Sequence, residues 1–232
     1  MISKAKIKYI KSLALKKYRD KDDIFVAEGP KIITELERYF EIIDKYDGED
    51  ADKASLLDTP QHSLALFRKR KEDVGGLHTP TRSELCLMLH DIQNPGNLGT
   101  IVRLADWFGI EHIYCSTGCA DIYNPKTIQA TMGAIARVHI HYVDLQVVLQ
   151  TLPKDYPIYG TFLEGEDIYS ADLSVGGMII MGNEGHGISD ELSSHVTHRL
   201  LIPNYPSGRE TAESLNVAIA TAIVCSEFRR RC

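Results

Sequence analysis

The chain has 232 residues, 44% of them hydrophobic, with a formal net charge of −6 and five cysteines. That length fits one large or two modest domains around a packed core, and no run of about 18 apolar residues marks a membrane span. The N-terminus is lysine-dense and lacks an apolar signal core, and the cysteines are odd in number without paired spacing; both argue against secretion and for a reducing, cytoplasmic setting.

Residues 1–21 hold Lys4, Lys6, Lys8, Lys11, Lys16, Lys17, Arg19 and Lys21 against only Asp20, a local charge of +7 on an otherwise acidic chain. Further clusters stand at 68–71 (RKRK) and 229–231 (RRR). Such patches can bind nucleic-acid phosphates, although solvated lysine helices have the same composition. Residues 2–18 are predicted to be one helix, with Ile7, Ile10, Leu13 and Leu15 among the lysines. IFVAEG follows as a strand ending at Gly29, and Pro30 opens a helix reaching about Tyr39, proline being suited to a first helical turn. EIIDKYD is a second strand and 60–70 another helix. This makes a small α/β unit over 1–75. The glycines, proline and charges of KEDVGGLHTPTR (71–82) mark a linker, with 76–82 as its body and a second domain over 83–232.

Beyond Glu84, apolar runs at 84–90, 111–115, 137–143, 157–162, 177–182 and 198–203 alternate with helical stretches near 98–109, 125–132, 144–151, 189–195 and 213–228. Runs apolar on both faces indicate strands of a parallel sheet flanked by helices. In such sheets ligands gather at loops leaving the carboxyl ends of strands.

Three of these loops carry unusual chemistry. In HDIQNPGNLGTIVRLADWFGI, Pro95 and two glycines make a tight turn, and a helix expected to begin near Gly99 carries Arg103 one turn in, where the helix dipole does not favour a cation. In GMIIMGNEGHGIS, an apolar strand breaks into Gly182, Gly185 and Gly187 around Asn183, Glu184 and His186. The G-x-x-G-x-G spacing matches neither a dinucleotide turn nor a phosphate loop, and no lysine follows. Glu184 needs a partner if buried; His186 reads as incidental. In LLIPNYPSGRETAESLNVAIATAIVCSEF, Ser214 and Asn216 stand at the mouth of a helix apolar nearly all round, which must be covered on several sides, by its own domain alone or with a partner subunit. Cys115 and Cys119 lie four apart without the His or Cys pair that would complete a metal site, and no metal-ligand cluster is visible.

Taken in order, Asn97 through Arg103, Met181 through Gly187, and Ile202 through Ala220 resemble the three motifs of the SpoU (TrmH-like) branch of the SPOUT RNA methyltransferases, over about residues 83–230. FVAEGPKIITEL also resembles the small substrate-binding domain that often precedes this catalytic domain. The loop NYPSGRETAE is longer than the family's usual one, which leaves its residue-by-residue alignment open.

The resemblance implies an α/β fold whose C-terminal parallel-sheet domain holds a deep trefoil knot, preceded by the small α/β RNA-binding domain. It implies S-adenosyl-L-methionine as methyl donor and transfer to a ribose 2′-hydroxyl of structured RNA, ribosomal ahead of transfer RNA, by a homodimer. The expected cofactor contacts are Thr161, Phe162, Leu163, Gly182, Asn183, Gly185, Ile202, Pro203, Leu215 and Asn216. The expected catalytic group is Arg103, Glu184, Asn97, Ser214 and Asn216. Glu184 is expected to pair with Arg103. Arg103 would act as a stabiliser of the developing alkoxide or as a base; since arginine is very hard to deprotonate, the first role is preferred. RNA contacts are expected from Lys4, Lys6, Lys8, Lys11, Lys16, Lys17, Arg19 and Arg103, and no metal is required. Two other readings remain: an α/β dehydrogenase, which lacks its glycine fingerprint here, and a non-catalytic RNA-binding or ribosome-assembly protein, against which the intact polar set speaks.

Overall fold

The computed structural model describes residues 1–71, 77–206, 212 and 214–231. Residues 72–76 around the expected linker, most of the 207–213 loop and Cys232 lie outside the described residues.

The N-terminal unit runs α1 (Lys4–Ser12), α2 (Lys16–Asp22), β1 (Ile24–Glu28), α3 (Pro30–Leu36), β2 (Ile42–Asp47), α4 (Gly48–Ala54) and β3 (Ser63–Arg68). Its sheet is antiparallel in the order β1-β3-β2. The helix predicted over 60–70 is therefore the central strand. SLALFR is buried on both faces, Leu64 and Leu66 towards α1 and α4, Ala65 and Phe67 towards the main core, so the alternation that marks a half-exposed strand is missing.

The single helix predicted over 2–18 is two. Leu13 is fully buried at the break, and the Arg19 guanidinium donates back to the carbonyls of Leu13 and Ala14, at 2.7 and 2.8 Å, close to where α1 ends. Carbonyls beyond a helix end lack intrahelical donors, and the arginine supplies them. Its other nitrogen pairs with Asp121 of the second unit at 2.6 Å. Arg19, predicted as an RNA contact, is 1% exposed and is instead a bolt between the two units.

The C-terminal unit alternates β4 (Leu85–Leu89), α5 (Pro95–Trp107), β5 (His112–Cys115), α6 (Pro125–Thr131), β6 (His139–Tyr142), α7 (Leu145–Thr151), β7 (Ile158–Asp167), β8 (Gly177–Met181), α8 (Asp190–Ser193), β9 (His198–Leu201) and α9 (Val217–Arg230). The six strands form one parallel sheet, β6-β5-β4-β8-β7-β9. Leu85, Leu87 and Leu89 face α5, α6 and α9; Cys86 and Met88, on the opposite face, meet α7 and α8. Covered on both sides, these strands read as continuous apolar runs, as predicted. Buried cysteines serve this packing: burial pushes the Cys86 and Cys225 thiols up to about 12.

The first hydrophobic cluster does not stop at the unit boundary. Phe25 and Phe67 from the small sheet and Ile33 from α3 share it with Ile128 of α6, and the Phe25 ring lies 5.0 Å from that of Tyr123. The basic clusters are also spent on structure. Arg70 donates to the carbonyls of Ala136 and Val138, and Arg231 to those of Ile168 and Tyr169, while Arg230 and Arg231 both pair with Glu227. No described helix is long and apolar enough to cross a membrane.

Candidate active site

At the carboxyl ends of β7, β8 and β9 lies a cleft of about 590 Å³, within the usual range for ligand pockets. Its first wall is an interruption in β7. The pairing with β9 jumps from Thr161 to Glu166 on the same partner, Leu200, so Phe162, Leu163 and Glu164 leave the ladder and line the cleft. A bulge of this kind aims side chains out of a sheet.

The second wall is the turn after β8. Asn183 N and Gly187 N donate to each other's carbonyls at 3.1 and 2.8 Å, and the Asn183 side-chain oxygen accepts from Gly185 N and His186 N. Its amide donates to Asp91 O at 2.8 Å, tying the turn to the loop after β4. A Cβ on Gly182 would come within 2.3 Å of the Gly187 carbonyl carbon. Only glycine permits that crossing, and it leaves bare backbone facing the cleft.

The third wall is the approach to α9. Ile202, Ser214, Leu215 and Val217 line the cleft, and Asn216 caps α9 by accepting from Ala218 N and Ile219 N. Asn94 caps α5 in the same way, accepting from Gly96 N and Asn97 N ahead of Pro95.

These caps bring the three motifs together. Asn216 Nδ2 donates to Asn97 Oδ1 at 3.0 Å, and Asn97 Nδ2 donates to Glu184 Oε1 through a short hydrogen bond. The directions are forced. A carboxylate can only accept, so Asn97 turns its amide to Glu184 and its carbonyl to Asn216, whose own oxygen is left for the helix cap.

The predicted pairing of Glu184 with Arg103 is thereby corrected: the partner is Asn97. α5 begins at Pro95, so Arg103 is more than two turns in. Six residues separate Asn97 from Arg103, which at 3.6 residues per turn places them about 120° apart around the helix. Arg103 is exposed, does not line the cleft and makes no hydrogen bond or ion pair among the described residues. Pro203 is likewise not among the lining residues, and Asn97 and Asn216 stand at the rim. Thr161, Phe162, Leu163, Gly182, Asn183, Gly185, Ile202 and Leu215 line the cleft, with Glu184 and Ser214.

Sequence reasoning missed Glu164 and Arg199. The Arg199 guanidinium lies 3.5 Å over the Phe162 ring and donates to Ser193 Oγ at 3.0 Å. An arginine inside the apolar run HRLL was the available signal.

Comparison with known proteins agrees with this geometry. Residues 84–226 match the SpoU rRNA Methylase family, and residues 4–44 match the MRM3-like substrate binding domain. The chain belongs to the SpoU rRNA methylase family. It is 30% identical over 254 residues, 97% of this chain and 96% of the other, to a Bacillus subtilis protein named 23S rRNA (guanosine(2553)-2′-O)-methyltransferase RlmP. A Porphyromonas gingivalis structure described as a TrmH-family RNA methyltransferase superposes with a TM-score of 0.86 at 36% identity, over the whole of both chains. An AdoMet-bound rRNA methyltransferase from Sinorhizobium meliloti gives 0.86 at 28% identity, covering 100% of this chain and 96% of that one. The small parallel-sheet architecture read from the sequence is thus that of the SpoU methyltransferases.

Proposed function

We propose that the cleft binds S-adenosylmethionine and that a ribose 2′-hydroxyl of ribosomal RNA is presented at its rim, beside Asn97, Glu184 and Asn216. The observation that carries this reading is the hydrogen-bonded chain Asn216–Asn97–Glu184, which joins the three motif loops at the rim of a cleft with bare backbone at Gly182. The protein is an S-adenosylmethionine-dependent RNA 2′-O-methyltransferase of its family.

The lining fits that cofactor. Glu164 and Glu184 set two carboxylates against the single guanidinium of Arg199, a lining that attracts a sulfonium and an ammonium more than a phosphate. Leu201, Ile202, Leu215 and Val217 offer apolar area for a base. When bound, the cofactor supplies a methyl group on a positively charged sulfur.

The chain's own residues do the rest. The turn 182–187 fixes one side of the cleft, and the asparagine pair holds the Glu184 carboxylate in one orientation. Such positioning contributes several kcal/mol to a bimolecular transfer. Lys4, Lys8 and Lys11 lie exposed on α1, and residues 4–44 match a substrate-binding domain, which supports RNA capture by the N-terminal unit. Lys6 and Lys16 are engaged by Asp44 and Asp20, so fewer lysines are available than the sequence count implies. A cytoplasmic setting is part of the same proposal, since that is where assembling ribosomal RNA is met.

A homodimer completes the reading. Arg103 lies one turn before Trp107, 82% exposed, on α5, and α9, packed against α5, leaves Ile219 55% exposed. Apolar side chains this open mark an interface, and a two-fold dimer would cover both copies with one patch. It would also bring Arg103 against the other protomer. Mixing Arg103→Ala with Glu184→Gln protomers tests this. If each site takes its arginine from the partner, the mixed dimer regains one intact site and measurable methyl transfer; if both residues serve one site within a protomer, the mixture is as inactive as either variant. The family's knot is a further part of this proposal, supported by the strand order β4-β8-β7-β9 with α9 returning to pack on α5.

A further inference from the structure

We propose that His78, Glu84 and His112 form a binding site for one zinc-class divalent ion, at the end of the sheet opposite the cofactor cleft. Glu84 precedes β4, His112 is the first residue of β5, and His78 lies on the tether arriving from the N-terminal unit. Because the sheet is parallel, these positions cluster at the amino ends of its strands.

Among the described residues this is the one group of three metal-ligating side chains brought together, with donor atoms within 4.8 Å of one another. His78 Nε2 is buried, has no hydrogen-bond partner, and lies 3.4 Å from Glu84 Oε2. Two ligands on a tetrahedral ion with bonds of about 2.0–2.2 Å stand about 3.4 Å apart, so this pair already has the required separation. With the imidazole neutral, this nitrogen has only the Glu84 carboxylate within reach, and a cation between the two satisfies both. The His112 ring stacks on that of His78 at 3.7 Å and 10°, with its donor within 4.8 Å of the other two, so binding turns the ring out of the stack until its in-plane lone pair meets the ion.

The surroundings orient these ligands. His112 Nδ1 lies 3.0 Å from His141 Nε2, which leaves His112 Nε2 as the free donor and supplies the outer hydrogen bond that metal-bound imidazoles have. The His78 carbonyl accepts from the Tyr114 hydroxyl at 3.0 Å, and Glu84 Oε2 accepts from Thr81 N at 2.5 Å. The nearby cation Arg70 is directed to the carbonyls of Ala136 and Val138. Two imidazoles and a carboxylate suit zinc, with cobalt and nickel as substitutes, rather than magnesium or calcium. The ion would fasten the tether to the sheet, away from catalysis.

The full chain, free of any histidine tag and stripped with a chelator, is titrated calorimetrically with Zn²⁺ and Co²⁺. One ion per chain is expected, weakened at least tenfold by His78→Ala and by Glu84→Gln, and about 10–100-fold by His141→Ala. Zinc should raise the melting temperature of the natural chain and not of His78→Ala, since only binding to the folded state stabilises it. The Co²⁺ spectrum should show nitrogen and oxygen donors without a thiolate charge-transfer band. Absence of stoichiometric binding, a thiolate band, or an affinity unchanged in His78→Ala would overturn the proposal.

Discussion

Asn97 both donates to Glu184 and accepts from Asn216, so replacing its amide by a carboxylate removes one function and keeps the other. Asn97→Asp still accepts from Asn216 but sets two like charges face to face. Turnover should fall about 10²-fold, the scale of losing one preorganised polar contact, with cofactor affinity within a few-fold of the natural chain. Steady-state kinetics alongside calorimetry checks it; an equal fall in both would place Asn97 in cofactor binding. Arg19 makes the complementary case. Arg19→Ala strands Asp121 and the carbonyls at the end of α1, and chemical denaturation should show a loss of about 3–5 kcal/mol. Its RNA affinity per folded molecule should keep the natural salt slope, whereas Lys8→Ala should lower that slope by about one without changing stability. Glu184 was legible in the sequence because a carboxylate among glycines is unusual. Its partner was not, because two residue types that both complement a carboxylate were present and only the start of α5 decides which one faces it.

Among elements, α9 shows how sequence charge misleads. Its terminal arginines resemble a phosphate site, yet Arg230 and Arg231 grip Glu227, and hydrogen bonds from Arg230 hold its carboxyl down at about 2. The glutamate side chain is 6% exposed. A folded-state pKa below the unfolded one means that this stabilisation is complete above the unfolded value of about 4.3 and is lost as pH falls towards 2. Thermal unfolding of the natural chain and Glu227→Gln should therefore differ most near pH 7 and converge between about pH 4.5 and 2; a constant difference across that range would contradict the pairing. The parallel strands and their helices were legible, since burial on both faces leaves long apolar runs. β3 was not, for the same reason in a setting where no flanking rhythm identified it, and the β7 bulge at 162–165 leaves no trace in periodicity at all.

For the whole molecule, the division into two units is weaker in packing than in sequence. The small antiparallel sheet and α6 share one hydrophobic cluster, and Arg19–Asp121 and Arg137–Glu35 cross the boundary. Scanning calorimetry of the full chain should give one cooperative transition. Residues 77–232 alone would leave Ile128 and the Tyr123 face uncovered and should unfold at lower temperature. Two separate transitions, with the second matching the isolated fragment, would restore independent domains. Lysine variants on α1 thus test RNA binding more cleanly than truncation does.

On the proposed function, the cleft joined by Asn216, Asn97 and Glu184 methylates a ribose 2′-hydroxyl of ribosomal RNA. The direct measurement uses S-adenosylmethionine with a tritiated methyl group and ribosomal RNA from cells lacking the gene, followed by alkaline hydrolysis. A 2′-O-methyl blocks cleavage at its own phosphodiester, so the label should appear in an alkali-resistant dinucleotide, and Asn97→Asp should reduce it about 10²-fold. Label in mononucleotides, on the base, or no label above the protein-free control would contradict the account.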